Sequence, residues 1–153
     1  RVKTTEIGGR AGKANGTLIR KEETDEIVNG LNISSGTMGN VSFNGITLAL
    51  VTQSGTENNG LAFAGLWNGM DKSNGIQIAG LLNEATFCNG IQIAISNSTE
   101  YMKGLQIGIW NKSRKTKGIQ IGIWNKSRKT KGIQIGLWNI NEKRKLPIIN
   151  WNF

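Results

Sequence analysis

Lys103–Thr116 reads KGLQIGIWNKSRKT, and Lys117–Thr130 reads KGIQIGIWNKSRKT. The two stretches differ at one position, Leu105 against Ile119, and a third copy opens at Lys131 as KGIQIGLWN. Self-similarity at a short fixed period marks a repeat architecture, in which each unit buries its surface against the next. Towards the N-terminus the copies weaken but stay in phase. NGIQIAISN starts at Asn89, NGIQIAGLLN at Asn74, NGLAFAGLWN at Asn59, NGITLALVT at Asn44, NGLNISSGT at Asn29 and NGTLI at Asn15. The anchoring glycines are Gly16, Gly30, Gly45, Gly60, Gly75, Gly90, Gly104, Gly118 and Gly132, always 14 or 15 residues apart. A degenerate unit, LPIINWNF from Leu146 to Phe153, closes the chain, with Pro147 near the glycine's place and Trp151-Asn152 repeating the Trp-Asn pair.

Each unit has the same grammar. Asn-Gly or Lys-Gly opens it, an alternating run such as Ile119-Gln120-Ile121 follows, and an Asn leads into a polar stretch such as KSRKTK. Alternation with period two is a strand signal, and the polar stretch reads as a turn. The units at Gly60 and Gly75 carry one extra residue, an Ala-Gly before Leu-Trp or Leu-Leu, which suggests a bulge in a strand or corner.

The fold class expected is all-β, a tandem-repeat β-solenoid with one coil per unit. The alternative is an antiparallel β-meander or barrel with one strand per repeat. Asn68, Asn83, Asn97, Asn111, Asn125 and Asn139 form one series of like residues, and Gln77, Gln92, Gln106, Gln120 and Gln134 another. Amide ladders gain hydrogen bonds only when like residues stack in parallel register, which favours the solenoid. Stacked cationic turns argue the other way, since each exposed contact costs about 1 kcal/mol or less. Hydropathy places Ile119 and Ile121 inside, with Leu105 and Ile133 as the equivalents of Ile119, and Gln120 outside. On that assignment Ile121→Asp is severe and Gln120→Thr mild. The whole chain, 1–153, forms one repeat domain: residues 1–14 an N-terminal cap, 15–145 about nine repeats, and 146–153 a C-terminal cap, where Pro147 removes a ladder donor.

Composition excludes more than it assigns. There is no His and one Cys, Cys88, so the commonest general base, the commonest metal ligand and any intramolecular disulfide are missing. Cys88 reads as a small core or turn residue. Glu57, Asp71, Glu84, Glu100 and Glu142 are sparse, and no pair has a spacing that suggests acid–base work, although Glu84 and Glu100 fall in successive turns. Neither a P-loop, a zinc site nor a nucleophile elbow is present. The expectation is a protein that is not an enzyme, with no cofactor and no metal. No stretch of 18 apolar residues exists, hence no transmembrane helix. No signal peptide is present, and the first residue is Arg1, consistent with removal of a leader.

Charge marks the candidate site. The net charge is +9, and residues 112–145 hold eleven Lys or Arg against one acid, Glu142. Lys112, Arg114, Lys115 and Lys117 recur as Lys126, Arg128, Lys129 and Lys131, followed by Lys143, Arg144 and Lys145. Such a ribbon suits an acidic glycan, a lipid headgroup or, less well, nucleic acid phosphate; it also suits a solvated turn that keeps a repeat protein soluble. Trp110, Trp124 and Trp138 share one repeat position, with Trp67 and Trp151 before equivalent asparagines. They form either an exposed ladder that stacks on rings or, as the preferred expectation, a corner or core ladder packing coil on coil, in which full burial is not required. A protein partner at the cell envelope is expected as well.

The G-[IL]-Q-[IL]-[GA]-[IL]-x-N repeat with its closing LPIINWNF resembles the uncharacterised bacterial surface repeat proteins of Bacteroidetes and spirochaetes. The resemblance covers Asn29–Phe153, most closely residues 74–153. It implies an exported protein, at the periplasm or cell surface. The expected location is the cell surface, the outer membrane or the periplasm. The expected role is a structural, adhesive or docking module within a larger assembly, with binding of an anionic polymer through the basic C-terminal half as the alternative. It brings no catalytic residues.

Overall fold

The computed structural model describes residues 26–153, so the unit at Asn15 and the cap expected over residues 1–14 lie outside the described residues. All regular structure within that span is β-strand: β1 (Glu26–Thr37), β2 (Val41–Ala64), β3 (Trp67–Ala79), β4 (Leu82–Ile93), β5 (Ser96–Ile107), β6 (Trp110–Ile121), β7 (Trp124–Ile140) and β8 (Lys145–Asn152). Each strand pairs only with its neighbours in sequence, and β1 through β7 run parallel. Consecutive parallel neighbours one repeat apart make a β-solenoid. The register sets like on like: Asn111 pairs with Asn125, Gly118 with Gly132, and Gln120 with Gln134.

The coil has three sides because the in–out alternation resets three times. In the coil from Gly118, Ile119 and Ile121 point out and Gln120 points in; Ile123 and Trp124 are then both exposed, which makes a corner. Asn125 and Ser127 are buried between exposed Lys126 and Arg128, and the second corner falls at Arg128-Lys129. On the third side Thr130 is buried between exposed Lys129 and Lys131. Gly132 closes the coil with φ 139°. The equivalent Gly118 has φ 138°, and a Cβ there would sit 2.0 Å from the carbonyl oxygen of Gly104. No L-residue fits that backbone or that gap, so glycine recurs. In the longer units the extra residue, such as Gly80, falls in the first corner between Ile78 and Leu82, where shorter coils have only Gly108-Ile109 between Ile107 and Trp110.

The faces are the reverse of those that hydropathy indicates. Gln120 is 0% exposed and Ile121 is 38% exposed. Gln77, Gln92, Gln106 and Gln134 are likewise inside, while Ile119 and its neighbours look outward. A buried amide without partners costs about 1–3 kcal/mol, but here the partners are supplied by the next coil. Gln92, Gln106, Gln120 and Gln134 each donate from Nε2 to the Oε1 of the preceding glutamine, at 2.7–2.9 Å. The asparagines donate the opposite way: Asn68 to Asn83, then on to Asn97, Asn111, Asn125 and Asn139. Their second N–H goes to a backbone carbonyl, as from Asn111 to Ile121 at 2.8 Å. Ser113 and Thr116 bond to one another beside the glutamines. The KSRKTK stretch, expected as a turn, lies within β6 and β7, because Ser and Thr at alternate places join this polar interior.

Apolar residues plug only part of the tube. Val41, Phe43 and Met70 cluster in the first coils, and Ala85, Cys88 and Met102 in the middle. Burial there pushes the Cys88 thiol up to about 12. At the far end β8 runs antiparallel to β7, with Ile148 in a left-handed conformation (φ 67°) at the irregularity. Asn150 of β8 donates to Gln134 Oε1 and so finishes the glutamine ladder.

Candidate binding surface

The three sides carry different chemistry, because each outward position repeats as a column along the axis. On the first side the columns are aliphatic. Ile76, Ile91, Leu105, Ile119 and Ile133 form one, Ile78, Ile93, Ile107, Ile121 and Ile135 another. Ile93, Ile107, Ile121 and Ile135 line one wall of a shallow groove, Ile95, Ile109 and Ile123 the other, and Gly108, Gly122 and Gly136 form its floor.

The second and third sides hold the sequence-derived site. Trp110 pairs in register with Trp124, Lys112 with Lys126, Lys115 with Lys129 and Lys117 with Lys131, and Arg114 and Arg128 fall between them. All eight cations are exposed. Within β6, Trp110, Lys112 and Arg114 project from the same strand face, alternating with buried Asn111 and Ser113. Trp110, Trp124 and Trp138 are 54%, 42% and 39% exposed, so the ladder is partly open to solvent. They sit at the first corner, where the coil is convex and no other element among the described residues covers them. Trp124 and Trp138 still touch at a tilt, with centroids 6.5 Å apart.

The basic columns do not run the full length. Towards the N-terminus the Lys112 column becomes Ser98 and Glu84, and an exposed ion pair between Arg114 and Glu100 (3.6 Å) marks the boundary. Beyond it lies a polar groove of about 510 Å³ lined by Trp67, Asp71, Glu84 and Glu100 among others. Trp67 behaves unlike the later tryptophans: its indole covers Gly69, and its Nε1–H donates to Glu84 Oε2 at 3.0 Å. Glu84 and Glu100 therefore each have a separate partner.

One group escaped the sequence reading. Phe87 and Tyr101 stack at 4.8 Å, with Lys115 over the Tyr101 ring at 5.2 Å, and Lys72 pairs in register with Phe87. The signal was available, since Phe87 and Tyr101 occupy the repeat position of Lys115 and Lys129. Comparison with family models, with curated proteins and with solved structures finds no match.

Proposed function

We propose that this chain is a non-enzymatic binding module of the bacterial cell envelope that docks on an anionic polymer through its C-terminal coils. The observation that supports it most is that tryptophans and cations share one exposed strand face, Trp110 with Lys112 and Arg114, and that register repeats this set in the next coil. Flat indoles offer stacking surface to sugar rings, and cations held about 4.8 Å apart along the axis present a regular grid to repeating anions. An acidic glycan suits this grid better than a duplex nucleic acid, because tryptophans have no role on a phosphate backbone. Export and envelope location rest on the resemblance of the repeats to bacterial surface proteins.

The test is retention on heparin or an acidic polysaccharide as a function of salt. Binding through released counterions is expected to weaken steeply as salt rises. Lys115→Glu with Lys129→Glu should elute much earlier, with far-UV circular dichroism unchanged, because both side chains are exposed. Identical elution of the two proteins would overturn the proposal and leave the charge a role in solubility alone.

A further inference from the structure

We propose that the aliphatic side of the solenoid rests on a lipid bilayer with anionic headgroups, its isoleucines in the outer acyl region and its flanking Trp and Lys rows among the headgroups. This goes beyond polymer docking, which uses the other two sides, and shares with that reading the corner tryptophans, Lys117 and Lys131, and the preference for negative charge.

From Gly45 to Val51, Gly60 to Leu66, Gly75 to Leu81, Gly90 to Ile95, Gly104 to Ile109, Gly118 to Ile123 and Gly132 to Leu137, no residue is charged. Their only polar side chains, Thr47 and the glutamines, point inward. Ile76, Leu81, Ile93, Ile95, Ile109, Ile121, Ile123 and Leu137 are all exposed. Even the reversed strand β8 keeps to the pattern, setting Ile149 opposite Ile135 and Trp151 opposite Ile133. The strip runs roughly 30 Å along the axis. A continuous apolar area of that extent marks a protein or membrane contact.

Two features fit a bilayer. The backbone N–H and C=O groups of this side are bonded along the axis to the coils above and below. Removing water from its face therefore strands no peptide group, the condition for any sheet in contact with lipid. The edges also suit a headgroup layer: Trp110, Trp124 and Trp138 border one side, and Lys103, Lys117 and Lys131 the other. Tryptophan prefers the membrane–water interface, and cations there meet anionic headgroups. A second copy lacks that complementarity. Packed in parallel, it would set Lys117 and Lys131 near Trp124 and Lys126; packed antiparallel, it would set them against Asn44 and Asn59, the N-terminal members of the same column. The one carboxylate beside that column, Glu57, is already held by Lys72 at 2.9 Å and by Asn74 at 3.2 Å.

The experiment is vesicle flotation of the full chain, using phosphatidylcholine alone and with about a third phosphatidylglycerol. The expected result is flotation with the anionic vesicles, at least tenfold weaker binding to the neutral ones, and quenching of tryptophan by lipids brominated in the acyl chain. Ile123→Asp with Leu137→Asp, both exposed, should lose vesicle binding at least tenfold while keeping the circular dichroism spectrum and heparin retention of the wild type. Failure of the wild type to float while it still binds heparin would overturn the membrane contact and leave polymer docking standing. Equal flotation of the double variant would overturn it too, since charge alone would then suffice. So would a wild-type dimer in sedimentation equilibrium that the same substitutions convert to monomer, because a second copy would then cover the face.

Discussion

The coils from β5 to β7 and those from β1 to β3 share one path, yet they are held together differently. In the later coils the sequence repeats almost without change, and both amide ladders run unbroken from Gln92 to Asn150 and from Asn83 to Asn139. In the earlier coils the glutamine column gives way to Ala62 and Thr47, and the asparagine column to Gln53. The ladders stop there with loose ends: Gln77 Nε2, Asn68 Oδ1 and Gln53 Nε2 are buried with no hydrogen-bond partner among the described residues. Val41, Phe43 and Met70 fill that end of the tube instead. An unbroken amide ladder thus forms only where each coil repeats its neighbour, because each amide in it bonds an identical one about 4.8 Å away. Where identity lapses, apolar side chains enter the interior beside unlike polar pairs such as Thr47–Gln53 and Asn58–Ser73. The exterior changes at a similar point, from carboxylates at Glu57, Asp71, Glu84 and Glu100 to the basic columns.

The largest break should come from the glycine that sets the coil path. Gly118→Ala forces a Cβ into the Gly104 carbonyl at φ 138°, and we expect a loss of more than about 3 kcal/mol in urea unfolding, or no folded protein. Gly39, near the first coils, has a similar φ of 130° but nothing among the described residues within 4 Å of the added Cβ. Gly39→Ala should therefore cost strain only, about 1–3 kcal/mol. Next come the ladders. Gln120→Ala removes the donor to Gln106 and the acceptor of Gln134, and should cost about 3–6 kcal/mol. Gln77→Ala, at the ladder's loose end, takes away only the acceptor of Gln92 and should cost about 1–3 kcal/mol. Equal losses from these two would show that the ladder carries no special weight in the later coils. Ile121→Asp should cost about 1–2 kcal/mol, since the side chain is already partly in water. The effect that is smallest at neutral pH concerns Cys88. Its thiol is held near 12 in the fold against an ordinary value of 9.0, so above pH 9 the unfolded chain releases a proton that the folded chain keeps. Stability then falls as pH rises towards 12, by at most about 1.4 kcal/mol per pH unit, and Cys88→Ala should flatten that decline in urea titrations.

The period, the strand content and the parallel stacking were legible because each rests on spacing. The side on which each residue falls was not. Period-two alternation defines two faces without saying which is wet, and hydrophobicity assigns Ile119 and Ile121 to the inside. That rule presumes an interior filled by dispersion and water exclusion, whereas a 14-residue coil encloses a narrow channel in which amides are satisfied along the axis. The repeats held a hint: Gln and Asn persist through the C-terminal units, while Leu105 and Ile119, or Ile123 and Leu137, exchange freely. Gly118, Gln120 and Gly122 share one parity, and the glycines belong inside because their neighbours leave no room for a Cβ. The basic columns were readable residue by residue. The exposure of the tryptophans was not, because it depends on where the corner falls, and that is set by two adjacent outward residues, Ile123 and Trp124, in otherwise alternating text.

The reversed faces are tested most directly by thiol accessibility in the native protein. Cysteine is introduced singly at Ile121 and at Gln120 in a Cys88→Ala background, and maleimide labelling is timed at neutral pH without denaturant. Ile121→Cys should label at close to the rate of a free thiol, and Gln120→Cys should label only as fast as the protein unfolds. A protected Ile121→Cys beside a freely labelled Gln120→Cys would contradict the polar interior and return the isoleucines to the core.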